Sequence, residues 1–456
     1  MNRRVLLGLI VLLAAPLSAQ SPAPSATASP AAPLQVPFRQ FQLANGLTVI
    51  LHQDKTVPVV AINVWYHVGS ANEKPGRTGF AHLFEHLMFE GSKNVPEGQF
   101  DILLEAAGAN NNGSTYNDRT NYIIDLPNNA LELALFLESD RMAYLLDAMP
   151  PEQVNSQRDV VKNERRQSYE NRPYGMASLE LDKMLWPANH PYSWPTIGYM
   201  EDLTAATHSD VQEFFKRYYA PNNASLVIAG DIDLDRTQAL VQKWFGEVPR
   251  GPAVEPIAPP AALLTQVKRQ TLKDQVSLPR LYLAWLTPRE YAPGDAALDL
   301  VSSILTEGKN SRLYKRLVYD EQMAQDVSAF QSSGALGSSF VIVATARRGR
   351  TVDEMQKAID EEIDRLRRTP PEAREVQRAL NQVEASFYRS MERVGGFGGK
   401  ADQLNAYYFA GGGPDYFAED LARYTSLSTV DVQAAIIKWL PRDRRVELVV
   451  EPEAKQ

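Results

Sequence analysis

The segment Phe80-Ala81-His82-Leu83-Phe84-Glu85-His86-Leu87-Met88-Phe89 sets two histidines and a glutamate into an otherwise apolar run. On a helix, residues three and four apart share a face, so His82, Glu85 and His86 project together. Leu83, Phe84, Leu87 and Met88 bury that helix, and three ionisable groups without partners would be expensive there. Two neutral imidazoles one turn apart form half of a zinc site, and a third protein ligand with one open position makes such a site catalytic. Glu85, beside the metal but not bound to it, could then take a proton from water activated by the ion.

Outward from this helix the chain alternates strand-like and helix-like runs. Asn45-Gly46 is a hairpin turn signal, followed by the strand Leu47–Leu51 and a second β-rich run at Val59–Val68. Phe100–Ala107 has helical spacing, Ser114–Leu126 reads as a strand, and helices are expected over Asn128–Leu146 and from Pro151 to about Glu170. Ser209–Tyr219 (helix), Ala224–Ala229 (strand) and Leu234–Phe245 (helix) close the first half. Residues 250–260 carry four prolines in eleven positions, which rules out a helix or a central strand and marks a linker. The alternation then resumes: strands at Arg280–Leu286, Ser339–Ala344 and Val446–Val450, helices at Ala296–Leu305, Val352–Arg367 and Glu372–Arg393.

The two halves echo each other. Glu90-Gly91 follows an apolar helix and so does Glu307-Gly308, 217 residues later; Asp210-Val211-Gln212 recurs as Asp431-Val432-Gln433, 221 residues later. Similar offsets at both ends point to a duplicated unit. The expected fold is α+β, with two homologous domains, each a mostly antiparallel sheet backed by helices. The expected divisions are a signal peptide (1–19), a Pro/Ala/Ser tether (20–38), a metal-binding domain (39–249), a Pro-rich linker (250–262) and a second domain (263–456) that lacks the motif. At the 217-residue offset, His82, Glu85 and His86 correspond to Asp299, Ser302 and Ser303.

The 456 residues, 44% hydrophobic and 22% charged, suit a globular protein of two domains. The net charge of −8 gives a nucleic-acid partner no electrostatic support. Arg3-Arg4, the apolar run Val5–Ala15 and Leu17-Ser18-Ala19 have the layout of a secretory signal. The run is short for a permanent span, so a periplasmic or secreted protein with no stable membrane anchor is expected. The absence of cysteine excludes disulfides and a lipid-modified cysteine, and limits metal ligands to histidine and carboxylate.

His82-Leu-Phe-Glu-His86 resembles the inverted zinc-binding motif of the pitrilysin, insulinase and mitochondrial-processing-peptidase family, and the resemblance extends over the chain from Arg39 onwards. It implies one Zn²⁺ per chain, Glu85 as the base, and a third ligand on a later helix. Composition alone leaves Glu90, Glu164 and Glu170 open; the resemblance selects Glu164 within Arg158-Asp-Val-Val-Lys-Asn-Glu164. Many relatives carry a further glutamate seven positions earlier, where this chain has Gln157. Gly108–Tyr122 is similar to the family's edge strand, on which a peptide substrate adds as an extra strand, and this implies substrate contacts at Asn112, Gly113 and Ser114. Taken alone, the asparagine run with Gly113 also suits a turn. His190-Pro-Tyr192 and Tyr219-Ala-Pro-Asn-Asn223 match as fold markers, with His190 a structural histidine. His52, His67 and His208 show no ligand pattern. Arg312 and Tyr314, in Asn310–Tyr314, mark the start of a helix in the second domain.

The implied activity is a zinc endopeptidase acting on peptides or unfolded segments outside the cytoplasm. The alternatives are a precursor-processing protease of narrow specificity and a non-catalytic assembly subunit. The chain length matches family members that pair two subunits, so a homodimer or a heterodimer with a related subunit is implied.

Overall fold

Val59-Val-Ala-Ile-Asn-Val-Trp-Tyr66 is buried at every position but the first, as expected of a strand covered on both faces. A computed structural model describes residues 34–453. The expected leader and the tether as far as residue 33 lie outside the described residues. The first sheet contains β1 (Arg39–Gln42), β2 (Thr48–Gln53), β3 (Val59–Tyr66), β4 (Asn110–Thr115), β5 (Thr120–Pro127) and β6 (Ala224–Gly230), in the order β1-β2-β6-β3-β5-β4. The turn between β1 and β2 needs a left-handed residue, and Gly46 supplies it at φ +96°.

The second sheet contains β7 (Lys268–Asp274), β8 (Arg280–Thr287), β9 (Ala324–Ser332), β10 (Ser338–Ala346) and β11 (Val446–Pro452), in the order β7-β11-β8-β10-β9. Its five strands repeat the order β2-β6-β3-β5-β4 of the first, in which β1 is an extra edge strand. β2 lies parallel to β6 and β7 parallel to β11, and every other pairing in either sheet is antiparallel. The residues between, 251–265, form no helix or strand.

Each sheet has its own apolar core, and a third core joins the halves. Leu181, Met184 and Leu185, on the helix Met176–Leu185, pack with Ala284, Val446 and Leu448 of the second sheet. Reciprocally, the helix Lys400–Ala406 from the second half lies against β3 and β6 of the first. Each half thus covers part of the other's sheet, and Gln35 onward forms one compact unit. Among the described residues no helix is long and apolar enough to cross a membrane.

Two sequence expectations need correcting. Ser114–Leu126 is not one strand but a hairpin: β4 and β5 meet at a turn in which Tyr116 N–H donates to Arg119 O at 2.9 Å. The asparagine run is not a turn: Asn110–Asn112 is the first half of β4, at the edge of the sheet, as the family resemblance implied. Edge strands β7 and β9 were not anticipated, because KRQTLKD and AQDVSAFQS bury only part of one face and so lack an apolar run.

Candidate metal centre

The helix Phe80–Leu87 is anchored at both ends. Its N-cap, Gly79, sits at φ +88°, and a Cβ there would lie 2.9 Å from the backbone of Gly198. The buried Glu73 carboxylate accepts from Gly79 N–H at 2.9 Å and Ala81 N–H at 2.8 Å, satisfying donors that a helix start leaves free. Beyond the last turn, Arg141 donates to Met88 O at 3.3 Å, while Tyr122 O–H donates to Phe84 O at 3.1 Å. Arg141 is itself buried, paired with Glu138 and placed over the Tyr122 ring at 4.2 Å. Sequence reading missed this pair, although Glu138-Ser-Asp-Arg141 stands out inside the apolar LELALFLESDRMAY helix.

His82, Glu85 and His86 share a face as expected, and Glu164 comes to them from the helix Pro151–Arg165. Glu164 Oε2 lies 3.6 Å from His82 Nε2 and 3.3 Å from His86 Nε2. One potential ligand atom from each of the three residues lies within 4.8 Å of the others, and no other His/Cys/Asp/Glu group among the described residues has this arrangement. Burial, followed by the neighbouring His86, pulls the His82 pKa down to about 4. Its imidazole is therefore neutral at pH 7 and offers a lone pair, so the 3.6 Å contact is not an ion pair. A hydrogen bond from His86 holds the Glu164 carboxyl below its usual range. The buried His82 Nδ1 has no protein hydrogen-bond partner, so no structural bond claims that ring. Two imidazoles and a carboxylate converging on one point fit a zinc ion.

Glu85 does not converge on that point. Burial pushes its pKa up, while a hydrogen bond with the Thr115 side chain acts in the opposite direction. A Cβ on Gly113 would lie 3.1 Å from Glu85 Cγ and 3.2 Å from Phe89, so the edge strand passes directly over the glutamate. The structure also sorts Asn112, Gly113 and Ser114. The Tyr116–Arg119 turn fixes the alternation along β4, so the main-chain groups of Ser114 face β5 and those of Gly113 and Thr115 face the free edge. Gly113 N–H donates to Asn112 Oδ1 at 2.8 Å, and the Ser114 hydroxyl is turned inward to Asn121 Oδ1 at 2.6 Å.

Gln157 donates from its side-chain amide to Glu90 Oε1. Burial already pushes the Glu90 pKa up, so a glutamate at 157 would set two carboxyls together where the amide makes a bond. The remaining histidines lie apart from the cluster. His190 stacks on Trp186 at 4.4 Å and accepts from Tyr192 N–H; His52, His67 and His208 contact Pro37 O, the Ser225 hydroxyl and Met149 O. Arg312 is bidentate to Glu375 and reaches Glu362.

Among the described residues the His-His-Glu cluster lies in the first of two repeated halves. Residues 48–186 match the family described as Insulinase (Peptidase family M16), and residues 205–383 match the Peptidase M16 inactive domain. The chain belongs to the pitrilysin/insulinase family of peptidases, M16. It is 28% identical to the zinc protease PqqE of Helicobacter pylori over 84% of each chain. A crystal structure of a protease from Helicobacter pylori superposes with a TM-score of 0.84 at 26% identity, covering 92% of this chain and all of that one. The first half of the periplasmic protease PqqL from Escherichia coli shares the fold, with a TM-score of 0.73 at 19% identity, covering 92% of this chain and 93% of that one.

Proposed function

We propose that this chain is a zinc endopeptidase that hydrolyses peptides or unfolded polypeptide segments outside the cytoplasm. The observation that carries the reading is the meeting of His82, His86 and Glu164 beside Glu85, which is half-buried and outside the ligand set. All four residues fall within the segment matched to the Insulinase family rather than to the inactive domain. Relatives named zinc proteases support zinc as the ion. A periplasmic relative of the same fold, PqqL, supports export, as does the leader-like sequence.

His82, His86 and Glu164 would hold the ion, which when bound polarises a peptide carbonyl and makes water more acidic. The outward main-chain groups of Gly113 and Thr115 pair with an extended peptide and lay it beside Glu85. Glu85 takes the proton of the attacking water and delivers it to the departing amine. The absent side chain at Gly113 lets peptide and glutamate approach each other. The half without ligands covers the first sheet and fixes its edge. Two chains pair around the substrate, a reading supported by PqqL, of whose whole length this chain covers only 48%; a fully active monomer in sedimentation would contradict the pairing.

The test is Glu85→Gln. The variant should keep its zinc while cleavage of an unstructured peptide falls by about 10²–10⁴-fold or more. Equal cleavage by the two proteins would remove Glu85 from the chemistry.

A further inference from the structure

The half without metal ligands reaches the edge strand through one continuous set of side-chain hydrogen bonds. Asp402, buried on the helix Lys400–Ala406, accepts at Oδ1 from Asn63 at 3.1 Å, Trp65 at 3.0 Å and Asn121 at 2.9 Å. Its Oδ2 accepts from Gly398 N–H at 2.8 Å. A carboxylate only accepts, so it dictates which end of the Asn121 amide faces it: the NH₂. The Asn121 carbonyl must then face the other way, where it accepts from the Ser114 hydroxyl at 2.6 Å and Arg119 Nη1 at 2.9 Å. The same Arg119 nitrogen donates to the Ser114 hydroxyl at 2.7 Å and to Ser114 O at 3.3 Å. The guanidinium lies 4.9 Å over Trp65 and 4.3 Å over Tyr116, which limits its freedom to follow any shift. Ser114 stands between Gly113 and Thr115, whose main-chain groups face the free edge; Thr115 bonds Glu85, and a Cβ on Gly113 would lie 3.1 Å from it.

We infer that Asp402 is a positioning residue for the peptide-accepting edge, acting through Asn121 and Arg119 on Ser114. This rests on the reading of β4 as the substrate edge. Without Asp402 the Asn121 amide is free to turn, and an NH₂ directed at Arg119 and the Ser114 hydroxyl replaces an acceptor with a competing donor. The edge strand has no neighbour on its other side to hold it, so it loosens while the metal-bearing helix, anchored by Glu73 and Arg141, does not.

The experiment compares zinc-loaded wild type with Asp402→Leu, Asp402→Ala and Asn121→Ala. Tyr408→Phe serves as control: it breaks a 2.9 Å bond to Thr48 across the same interface, and neither of these hydroxyls bonds to Asp402, Asn121, Arg119 or Ser114. Two readouts are taken, amide hydrogen exchange and steady-state cleavage of an unstructured fluorogenic peptide. Asp402→Leu, which removes the acceptor at similar volume, should speed exchange in residues 110–115 and leave residues 80–87 protected. It should also raise KM about tenfold with kcat changed less than about threefold, the size expected for one lost hydrogen bond to a charged group. Combining Asp402→Ala with Asn121→Ala should add nothing to either single variant. If Asp402→Ala fails to fold, Ser114→Ala tests the relay from its other end and should raise KM alike. Unchanged exchange in residues 110–115, an unchanged KM in Asp402→Leu, or the same changes in Tyr408→Phe would overturn the inference. A wild type that cleaves nothing would instead overturn the peptidase reading, and the exchange data would still decide the relay.

Discussion

The helix Phe80–Leu87 in the first half and the helix Asp295–Thr306 in the second occupy equivalent places beside two sheets that share five strands in the same order. Each meets a longer helix, Pro151–Arg165 in one case and Ala373–Glu392 in the other. In the first half His86 faces Glu164 at 3.3 Å, and in the second Ser303 donates to Gln382 at 2.8 Å. In the first half His82 Nδ1 has no protein partner, whereas in the second Asp299 accepts from Tyr424 O–H at 2.8 Å and Ser302 donates to Asp299 O. One scaffold thus carries two solutions for buried polar groups. In the second half they satisfy one another, which supports stability. In the first they point at a common centre, which suits an ion.

That contrast can be broken at several points. The largest effect is expected from Glu164→Ala or His86→Ala. Either removes one of three ligands and should bring zinc content close to zero and abolish cleavage, whereas Ser303→Ala should change neither. Metal analysis with a peptide assay decides it. Next comes Arg141→Ala, which leaves Glu138 buried without its partner and takes a donor from the end of the metal-bearing helix. Urea unfolding should show a loss of about 3–5 kcal/mol. Gly113→Ala places a methyl group 3.1 Å from Glu85 Cγ. The strand or the glutamate must shift, and kcat should drop about tenfold or more, since misplacement of this order is costly in catalysis; steady-state kinetics with zinc content held equal checks it.

The remaining contrast, in stability and not in activity, probes the second half. Burial pushes the Asp299 pKa up from 3.8 to about 7. The folded form therefore binds a proton more tightly than the unfolded chain, so this group's contribution to stability is greatest below pH 4 and declines as pH rises towards 7. Asp299→Asn, which can still accept from Tyr424, should gain stability relative to wild type as pH rises from 4 to 8. Thermal unfolding across that range would show no such trend if Asp299 were ionised in the fold.

The parts of this picture legible in the sequence are the local ones. Five consecutive residues sufficed to align His82, Glu85 and His86, because helical periodicity alone sets that face. Buried strands such as β3 and amphipathic helices such as Leu234–Phe245 were legible for the same reason. Glu164 was not separable from Glu90 or Glu170 by spacing, since its place depends on the packing of one helix against another far away in sequence; only the family resemblance selected it. Asp402 and the Arg141–Glu138 pair were missed because a charge reads as solvent-exposed until its distant partners are known. The hairpin at Tyr116–Arg119 was hidden by the β-forming residues on either side of it.

The most direct test of the central claim is zinc-edge anomalous diffraction from the purified protein, with metal content measured on the same sample. One zinc per chain is predicted, bound by His82, His86 and Glu164 at about 2.0–2.2 Å, with none in the second half. A zinc site elsewhere, or a fully cleaving protein with no metal beside His82 and His86, would contradict the account.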